Sequence, residues 1–373
     1  MQQERRMILR MLEEGKITAE EAEALLNALG DGEGSTESEP QEDPWVRVEK
    51  MGEDFASKVE VAVERFSRSL EHNVSDKLTK LPKILAKFPF LGFEESQEFT
   101  QVVRGPVAAG DVISIDLSNV NGPLRLQGWS EDYYQLTLVQ RLKGRDRELL
   151  RSRLYEVDWA DNALMTEFKL DIPSFMDRTI SVHLMVPEGR TYAVTLMSQN
   201  GSLRVENLKG TTVSLESING SVELRSVQAR SIEGTAHNGA CEMDGVEAEE
   251  IRHELGNGSY RMSVSARVLD LVTTNGTINL RVPEVQGSSS YRLRTTNGSV
   301  NVSLPARMDL GAALNLQTSV GRVSAELGSL EITHHERQGG GAVLQARSHN
   351  YDSLADKVDL EATCVSGSIT VSA

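Results

Sequence analysis

Short segments in the second half of the chain alternate hydrophobic and polar residues, and each one follows an Asn-Gly pair. Six of these segments read SLRV, SVEL, ACEM, SYRM, TINL and SVNV. Successive pairs are separated by 19, 19, 19, 18 and 22 residues. Such self-similarity predicts a repeat architecture, with Asn and Gly at the corners because both tolerate positive φ. The predicted corners are Asn200, Gly201, Asn219, Gly220, Asn238, Gly239, Asn257, Gly258, Asn275, Gly276, Asn297 and Gly298.

Hydrophobic residues recur in two columns through these repeats, three and five residues after each Asn, so both columns share one face of a pleated strand. The columns contain Leu203, Val222, Cys241, Tyr260, Ile278 and Val300, and Val205, Leu224, Met243, Met262, Leu280 and Val302. A second strand in each repeat contains Val213, Ile232 or Ile251. Two strands and two turns per repeat predict a rung of a β-solenoid, which buries its face against neighbouring rungs. A sheet of repeated Asn-Gly hairpins is the competing interpretation.

Charged residues on the outward positions complement one another between adjacent rungs. The predicted neighbours are Arg204 with Glu223, Glu242 with Arg261, Glu206 with Arg225, and Arg225 with Asp244, while Glu223 beside Glu242 is an exception. Opposite charges on neighbouring strands contribute about 0.2–1 kcal/mol each. The pattern favours parallel, in-register rungs, in which stacked Asn side chains are also placed to form a hydrogen-bonded ladder.

Imperfect copies flank the regular array. Residues 121–126 (NGPLRL) form an early copy, and a longer insertion with the strand-like segments YYQLTLVQRL and TISVHLMVPEG follows it. Residues 319–323 and 366–371 are degenerate later copies. Atypical terminal repeats are expected, because exposed strand edges invite aggregation. We assign residues 93–373 to the β-strand repeat array.

The first 92 residues carry a different pattern. Residues 1–30 predict a helical hairpin, in which Gly15 ends the first helix and Thr18 caps the second. This hairpin is too short to bury much surface, so it either docks or oligomerises, or packs on the rest of the chain. Residues 31–44 are Gly, Ser, Pro and acidic residues, which predicts a flexible linker.

Residues 45–92 predict a long amphipathic helix with a basic end, interrupted at Pro82 and Pro89. This end could contact an anionic membrane surface, pair with a second copy, or cap the array. The candidate contact residues are Lys77, Lys80, Lys83, Lys87, Phe88 and Phe90.

Composition bears on the class of ligand and on the cellular location. A formal net charge of -16 argues against a general nucleic-acid binder, which needs a basic surface. The two cysteines, Cys241 and Cys364, lie far apart in sequence and favour a reducing compartment. The sequence contains neither a signal-peptide pattern nor an apolar run long enough to span a membrane. A cytoplasmic protein is therefore expected, peripheral at the inner face of the membrane if the basic helix binds there.

A search for chemistry yields no site. The histidines lack zinc-type spacing with cysteine or with one another, and neither a nucleophile elbow nor a phosphate-binding loop is present. Carboxylates are plentiful, as in polysaccharide-cleaving β-helix enzymes, but several have a basic neighbour in the next rung. We therefore expect no metal, no cofactor and no catalytic residues.

Two parts of the sequence resemble known bacterial proteins. The Asn-Gly-Ser strand series is similar to the toast-rack family of β-strand-repeat proteins, which also carries a "putative adhesin" label. ERRMILRMLEEGKITAEEAEALLNAL, residues 4–29, resembles the SHOCT-like helical domain that precedes such repeats in the YvlB type. The resemblance implies a link with cell-envelope stress systems of the phage-shock and lantibiotic-response kind, beside membrane partners of the PspC type. It brings no catalytic residues.

Three functions remain open. The first is a non-enzymatic, membrane-proximal scaffold that self-associates or docks through its N-terminal helices and presents the array to a protein partner. The second is a surface adhesin or carbohydrate-binding solenoid, which requires export. The third is a β-helix polysaccharide lyase or hydrolase, which requires a carboxylate cluster without basic partners.

Overall fold

A computed structural model of the protein describes residues 96–373, except residues 308, 329 and 350. The helical hairpin, the linker and the amphipathic helix predicted in residues 1–92 lie outside this part of the chain, as do Lys77, Lys80, Lys83, Lys87, Phe88 and Phe90. Twenty strands dominate the described residues and belong to one hydrogen-bonded network. The prediction of a mainly β protein is confirmed.

Four long strands form the regular centre: β8 (Leu203–Asn219), β9 (Val222–Asn238), β10 (Cys241–Asn257) and β11 (Tyr260–Asn275). They pair in parallel and in register, so that Asn219 lies beside Asn238 and Asn238 beside Asn257. Strands β8 to β10 bend at a left-handed residue, namely Asn207, Ser226 or Gly245 with φ of 53°, 52° and 61°. The bend divides each rung into a first half, after the Asn-Gly corner, and a second half that leads to the next corner.

The irregular steps of the repeat have local causes. Strand β11 has no counterpart of Gly245, because its pairing with β10 passes from Asp244 directly to Val246. This deletion of the bend residue accounts for the 18-residue step. The 22-residue step contains a loop between β12 (Ile278–Arg281) and β13 (Ser288–Asn297).

The two halves of the rungs face each other across one hydrophobic core. Every residue of the two predicted inward columns is at most 3% exposed. Tyr260, on the first half of β11, donates its hydroxyl toward the carbonyls of His253 and Val272, which belong to second halves. The alternating pattern therefore specifies which face of each strand is buried.

The N-terminal end is built from shorter strands: β1 (Ser96–Pro106), β2 (Ile113–Asn121), β3 (Leu124–Trp129), β4 (Tyr133–Lys143), β5 (Glu167–Ile172), β6 (Arg178–Pro187) and β7 (Thr191–Asn200). A short helix, α1 (Arg147–Arg151), begins after Asp146, whose carboxylate accepts two backbone N–H bonds. Strands β2 and β3 form the early copy and stack on β7 and on the first half of β8. Strands β1, β4, β6 and β5 continue the two halves outward.

The C-terminal end does not follow chain order. It contains β14 (Val300–Ser303), β15 (Leu310–Val320), β16 (Val323–Glu326), β17 (Leu330–Gln338), β18 (Gly341–Ser348), a 3₁₀ turn (Tyr351–Ser353), β19 (Asp356–Ser366) and β20 (Ile369–Ser372). The last rung, β19 and β20, lies between β13/β14 and β15/β16 and pairs in parallel with both. The hairpin β17–β18 pairs with β15 beyond it.

Candidate functional site

The Asn-Gly corners lie on one line along the stack. Each Asn Nδ2 donates to Oδ1 of the Asn in the preceding rung, over 2.8–3.0 Å. The ladder contains Asn121, Asn200, Asn219, Asn238, Asn257, Asn275 and Asn297. Ser366 follows Asn297 in the stack, so the amide series ends there. The structure thus brings all six predicted corners together with the early copy.

The corner glycines are packed backbone to backbone. The N–H of each of these glycines donates to the carbonyl of the Asn or Ser at the next corner, at 2.9–3.1 Å. A Cβ on Gly258 would lie 1.8 Å from the carbonyl oxygen of Gly239, and one on Gly276 would lie 1.7 Å from that of Gly258. Only glycine permits this spacing between rungs.

The position two residues before each corner Asn is buried, and it is polar in most rungs, with Ala236 and Leu255 as the exceptions. The Oγ1 of Thr273 donates to the carbonyl of Gly258 at 3.1 Å, and that of Thr295 donates to Gly276 at 3.0 Å. Cys364 and Thr318 occupy the same position in the last rungs and contact Gly298 and Gly367. Sequence reasoning missed this column, although a small polar residue stands at that step in four of the six regular repeats.

Removing one amide from the ladder tests its contribution. Asn238→Ala is expected to lower the free energy of unfolding by about 1–2 kcal/mol, because Asn219 loses a donor and Asn257 loses an acceptor. Ser221→Ala is the control, since it shortens an exposed side chain near the same line of corners. Chemical denaturation measures both variants, and equal stabilities would contradict an energetic role for the ladder.

A groove of about 540 Å³ runs over the outer surface of the first halves of the rungs. Its lining comes from β9, β10, β11, β12, β14 and β20. Neighbouring side chains in each outward column belong to successive strands, which are about 4.8 Å apart. The groove therefore presents regularly spaced side chains across six rungs.

Ion pairs fill one end of this groove. Arg204 pairs with Glu223, and Arg261 pairs with Glu242 at 2.7 Å, both as predicted. Glu223 lies beside Glu242 in the register, also as predicted. The basic partners give these acidic side chains a structural role in the stack.

Two further predicted neighbours, Glu206 with Arg225 and Arg225 with Asp244, lie side by side in the register, but their ion pairs form elsewhere. Glu206 pairs with Arg125 at 2.5 Å, because the early copy supplies an arginine on the strand next to β8. Arg225 pairs with Glu223 at 2.5 Å, because residues two apart on one strand point to the same side. Arg225 therefore lies beside Glu206 and Asp244 in the register but directs its guanidinium to Glu223.

The other end of the groove is free of carboxylates. Its side chains are Arg261, Ser263, Asn279, Arg281, Asn301, Ser303, Thr370 and Ser372. Arg261 is already bonded to Glu242. Arg281 is exposed and has no hydrogen-bond or ion-pair partner among the described residues. In an acidic protein, this end of the groove offers an unused cation surrounded by hydroxyl and amide groups.

Reactive side chains outside the groove are enclosed in the core. Burial raises the pKa of both the Cys241 and the Cys364 thiols, which disfavours their nucleophilic thiolate forms. In the part of the chain that the structure describes, no group of three or more His, Cys, Asp or Glu side chains is arranged to hold a metal ion. Within the same residues, every helix falls short of the length and apolarity needed to cross a bilayer.

The family follows from a match to the whole array. The model of the family described as Toastrack DUF4097 matches residues 113–372, which begin at β2 and end in β20. The chain belongs to the Toastrack DUF4097 family. The stacked corners and the groove are thus features of the Toastrack part of the chain. A second model, described as a SHOCT-like domain, matches residues 3–34.

Other comparisons are less informative. A solved structure of a "putative cell adhesion protein" from Clostridium sporogenes matches at 11% identity and covers 74% of this chain and 99% of that chain. The TM-score between the two structures is 0.18. No curated protein matches the chain.

Proposed function

We propose that this Toastrack protein is a non-enzymatic interaction scaffold, a β-solenoid whose outer groove binds an extended segment of a protein partner. The observation that carries the proposal is the carboxylate-free end of the groove, where Arg281 has no partner among the described residues. A partner segment with acidic side chains complements this end. Glu223 and Glu242 in the rest of the groove form ion pairs with arginine, which counts against the lyase or hydrolase alternative.

The groove geometry favours an extended rather than a helical segment. Outward side chains repeat at the strand spacing, so a peptide that crosses the rungs meets a new polar pair at each step. Hydroxyl and amide groups can bond its backbone, while Arg281 attracts a carboxylate. Electrostatic attraction of this kind mainly sets specificity and association rate.

Charge reversal at Arg281 tests the proposed site. Arg281→Glu is expected to weaken binding of a labelled peptide of alternating Glu and Ser by about tenfold, because it replaces an attraction by a repulsion. Fluorescence anisotropy at low salt measures the affinity. Added salt is expected to weaken wild-type binding, since the groove is open to solvent.

The matched control is Arg230→Glu, which makes the same charge change at an exposed arginine outside the groove, paired with Glu249. Affinity should be unchanged in this variant. Equal weakening in both variants would show that net charge alone causes the effect. Undetectable binding to the wild type would reject an acidic peptide as the ligand. Pull-downs from membranes with the two variants as bait then identify a partner that depends on the groove.

The placement in the cell is part of the same proposal. A SHOCT-like domain at residues 3–34 and the basic segment that ends near residue 92 support self-association through the N-terminal helices and contact with an anionic membrane. A PspC-type membrane protein is the proposed partner, in a cytoplasmic envelope-stress response. Fractionation with and without residues 65–93 tests this placement. If both forms stay wholly soluble, the proposed membrane contact is rejected.

A carbohydrate-binding or adhesin role is the second candidate. The carboxylate-free end of the groove is rich in Ser, Thr and Asn side chains, which suit the hydroxyl groups of a neutral glycan. Glycan binding that survives both high salt and Arg281→Glu, together with detection of the protein outside the cell, would favour this role over peptide binding.

A further inference from the structure

The Asn-Gly sequence has its own chemistry, which the stack controls. In an unconstrained chain the Gly nitrogen attacks Cγ of the preceding Asn: a C–N bond forms, the Cγ–Nδ2 bond breaks, and ammonia leaves with the proton of the Gly N–H. Water then opens the succinimide to aspartate or isoaspartate. Glycine presents the least steric resistance because it has no Cβ. Asn is accordingly one of the thermolabile residues of proteins.

The structure holds both reacting groups at the six regular corners, from Asn200 to Asn297. The nucleophile is engaged because each Gly N–H donates to the next rung at 2.9–3.1 Å. From Asn200 to Asn297 the leaving amide is engaged as well, because Nδ2 donates to the preceding rung at 2.8–3.0 Å. Attack requires the backbone and the side chain to rotate toward each other, which breaks both bonds. A corner can therefore react only after its rung has opened.

We propose that the Asn-Gly corners are latent deamidation sites, which react only in molecules whose rungs have opened and which then prevent the rungs from closing again. The proposal is independent of any partner in the groove. It follows from the two hydrogen-bond series and from the packing of the corner glycines.

Closure fails because neither product fits the stack. Isoaspartate adds a carbon to the main chain, at a corner where a single extra Cβ on Gly239 or Gly258 would lie 2.2 or 1.8 Å from the neighbouring carbonyl oxygen. Aspartate keeps the backbone but replaces the donor by an oxygen. At Asn238 that oxygen would face Oδ1 of Asn219, now 2.9 Å from Nδ2. The ladder would then hold two acceptors against each other.

The ends of the ladder are held less completely than its middle. Asn121 is the first member, and its Nδ2 has no acceptor among the described residues. Asn297 is the last member, since Ser366 lies beyond it and supplies no amide donor. Asn219, Asn238 and Asn257 bond to amides on both sides. Because each of these two side chains lacks one of its two ladder bonds, Asn121 and Asn297 should react before the interior corners.

Peptide mapping by mass spectrometry tests the proposal on the full chain. The protein is incubated in mildly alkaline buffer, with and without denaturant, and Asn, Asp and isoaspartate are quantified at each corner. In denaturant all corners should react at similar rates, because they share one dipeptide. In native buffer, Asn219, Asn238 and Asn257 should react at least about a hundredfold more slowly than in denaturant, because their rungs rarely open. Similar native and denatured rates would overturn the proposal.

A refolding measurement tests the second half of the proposal. Chains deamidated in alkaline denaturant should fail to regain the native β-sheet spectrum and unfolding midpoint after dilution. The control is the same chain held for the same time in acidic denaturant, where the Gly nitrogen is unreactive, and it should refold. Normal refolding of the deamidated chain would overturn the claim that modified corners cannot close.

Discussion

Gly258→Ala is expected to lower the free energy of unfolding by about 4 kcal/mol, a large loss of the kind that overpacking and backbone strain cause. The new Cβ would lie 1.8 Å from the carbonyl oxygen of Gly239, which belongs to a hydrogen-bonded backbone. At a φ of 152°, an L side chain is strained even without this contact. Because β10 and β11 pair along their whole length, the clash cannot be relieved without separating two rungs. Urea denaturation followed by circular dichroism measures the loss.

The matched control is Gly189→Ala, between β6 and β7. A Cβ at this glycine meets nothing within 4 Å, and its φ is not in the left-handed region. The control should change stability by at most about 0.5 kcal/mol. If Gly258→Ala is as stable as this control, the rungs are not packed glycine on glycine. If Gly258→Ala does not fold, a native-like unfolding curve for Gly189→Ala still separates the corner from a general intolerance of alanine.

Much of the array could be predicted because its information is local and repeated. The inward columns follow from strict alternation, and the structure buries Leu203, Val222 and Tyr260 completely. The near-constant step predicts that Asn219 lies beside Asn238, as it does in the structure. Parallel register then followed, because a common step brings identical positions together. The left-handed bend residues were not predicted, since Asn207, Ser226 and Gly245 share no residue type.

The order of the last rungs could not be read from the sequence. Degenerate copies at residues 319–323 and 366–371 suggest a stack in chain order, yet β19 inserts between β13 and β15. Nothing local encodes this choice, because each rung can pair with any parallel edge of the same pattern. Burial accounts for this order. The hairpin β17–β18 pairs with one edge of β15, and β19 pairs with the other edge, so both edges of β15 are covered. The repeat period alone does not specify long-range strand pairing of this kind.

Only some of the ion pairs in and beside the groove could be predicted from the sequence. Complementary charges between Arg204 and Glu223 were visible, because neighbours one period apart share a column. Arg125 was missed as a partner of Glu206, because the insertion after the early copy hides its adjacency to β8. Arg281 stood out only once the strands on both sides of it were known to carry Ser263 and Ser303 instead of carboxylates.

Acid is expected to destabilise the stack through His253, which is buried in the second half of β10. Burial lowers the pKa of this imidazole to about 4, whereas an unfolded chain binds the proton near pH 6.5. Between these two values only the unfolded state binds the proton, so stability falls as the pH falls from 6.5 toward 4. The full contribution is about 3 kcal/mol. Below pH 4 both states are protonated and the loss levels off.

His253→Leu should remove this dependence, because leucine occupies the matching position in the neighbouring rung, at Leu271. Gly234 makes room for the imidazole in the wild type, because a Cβ at residue 234 would lie 2.4 Å from Cδ2 of His253. In the variant, the leucine side chain leaves a gap beside Gly234. The variant should therefore be less stable than the wild type at pH 7 and close the difference as the pH falls. Tyr260→Phe is the matched control. It removes the hydroxyl that bonds to Nδ1 of His253 at 3.0 Å but keeps the imidazole, so its pH dependence should persist. Denaturant unfolding at pH 7, 5.5 and 4.5 distinguishes the variants, and parallel pH profiles for the wild type and His253→Leu would show that carboxylates alone set the acid sensitivity.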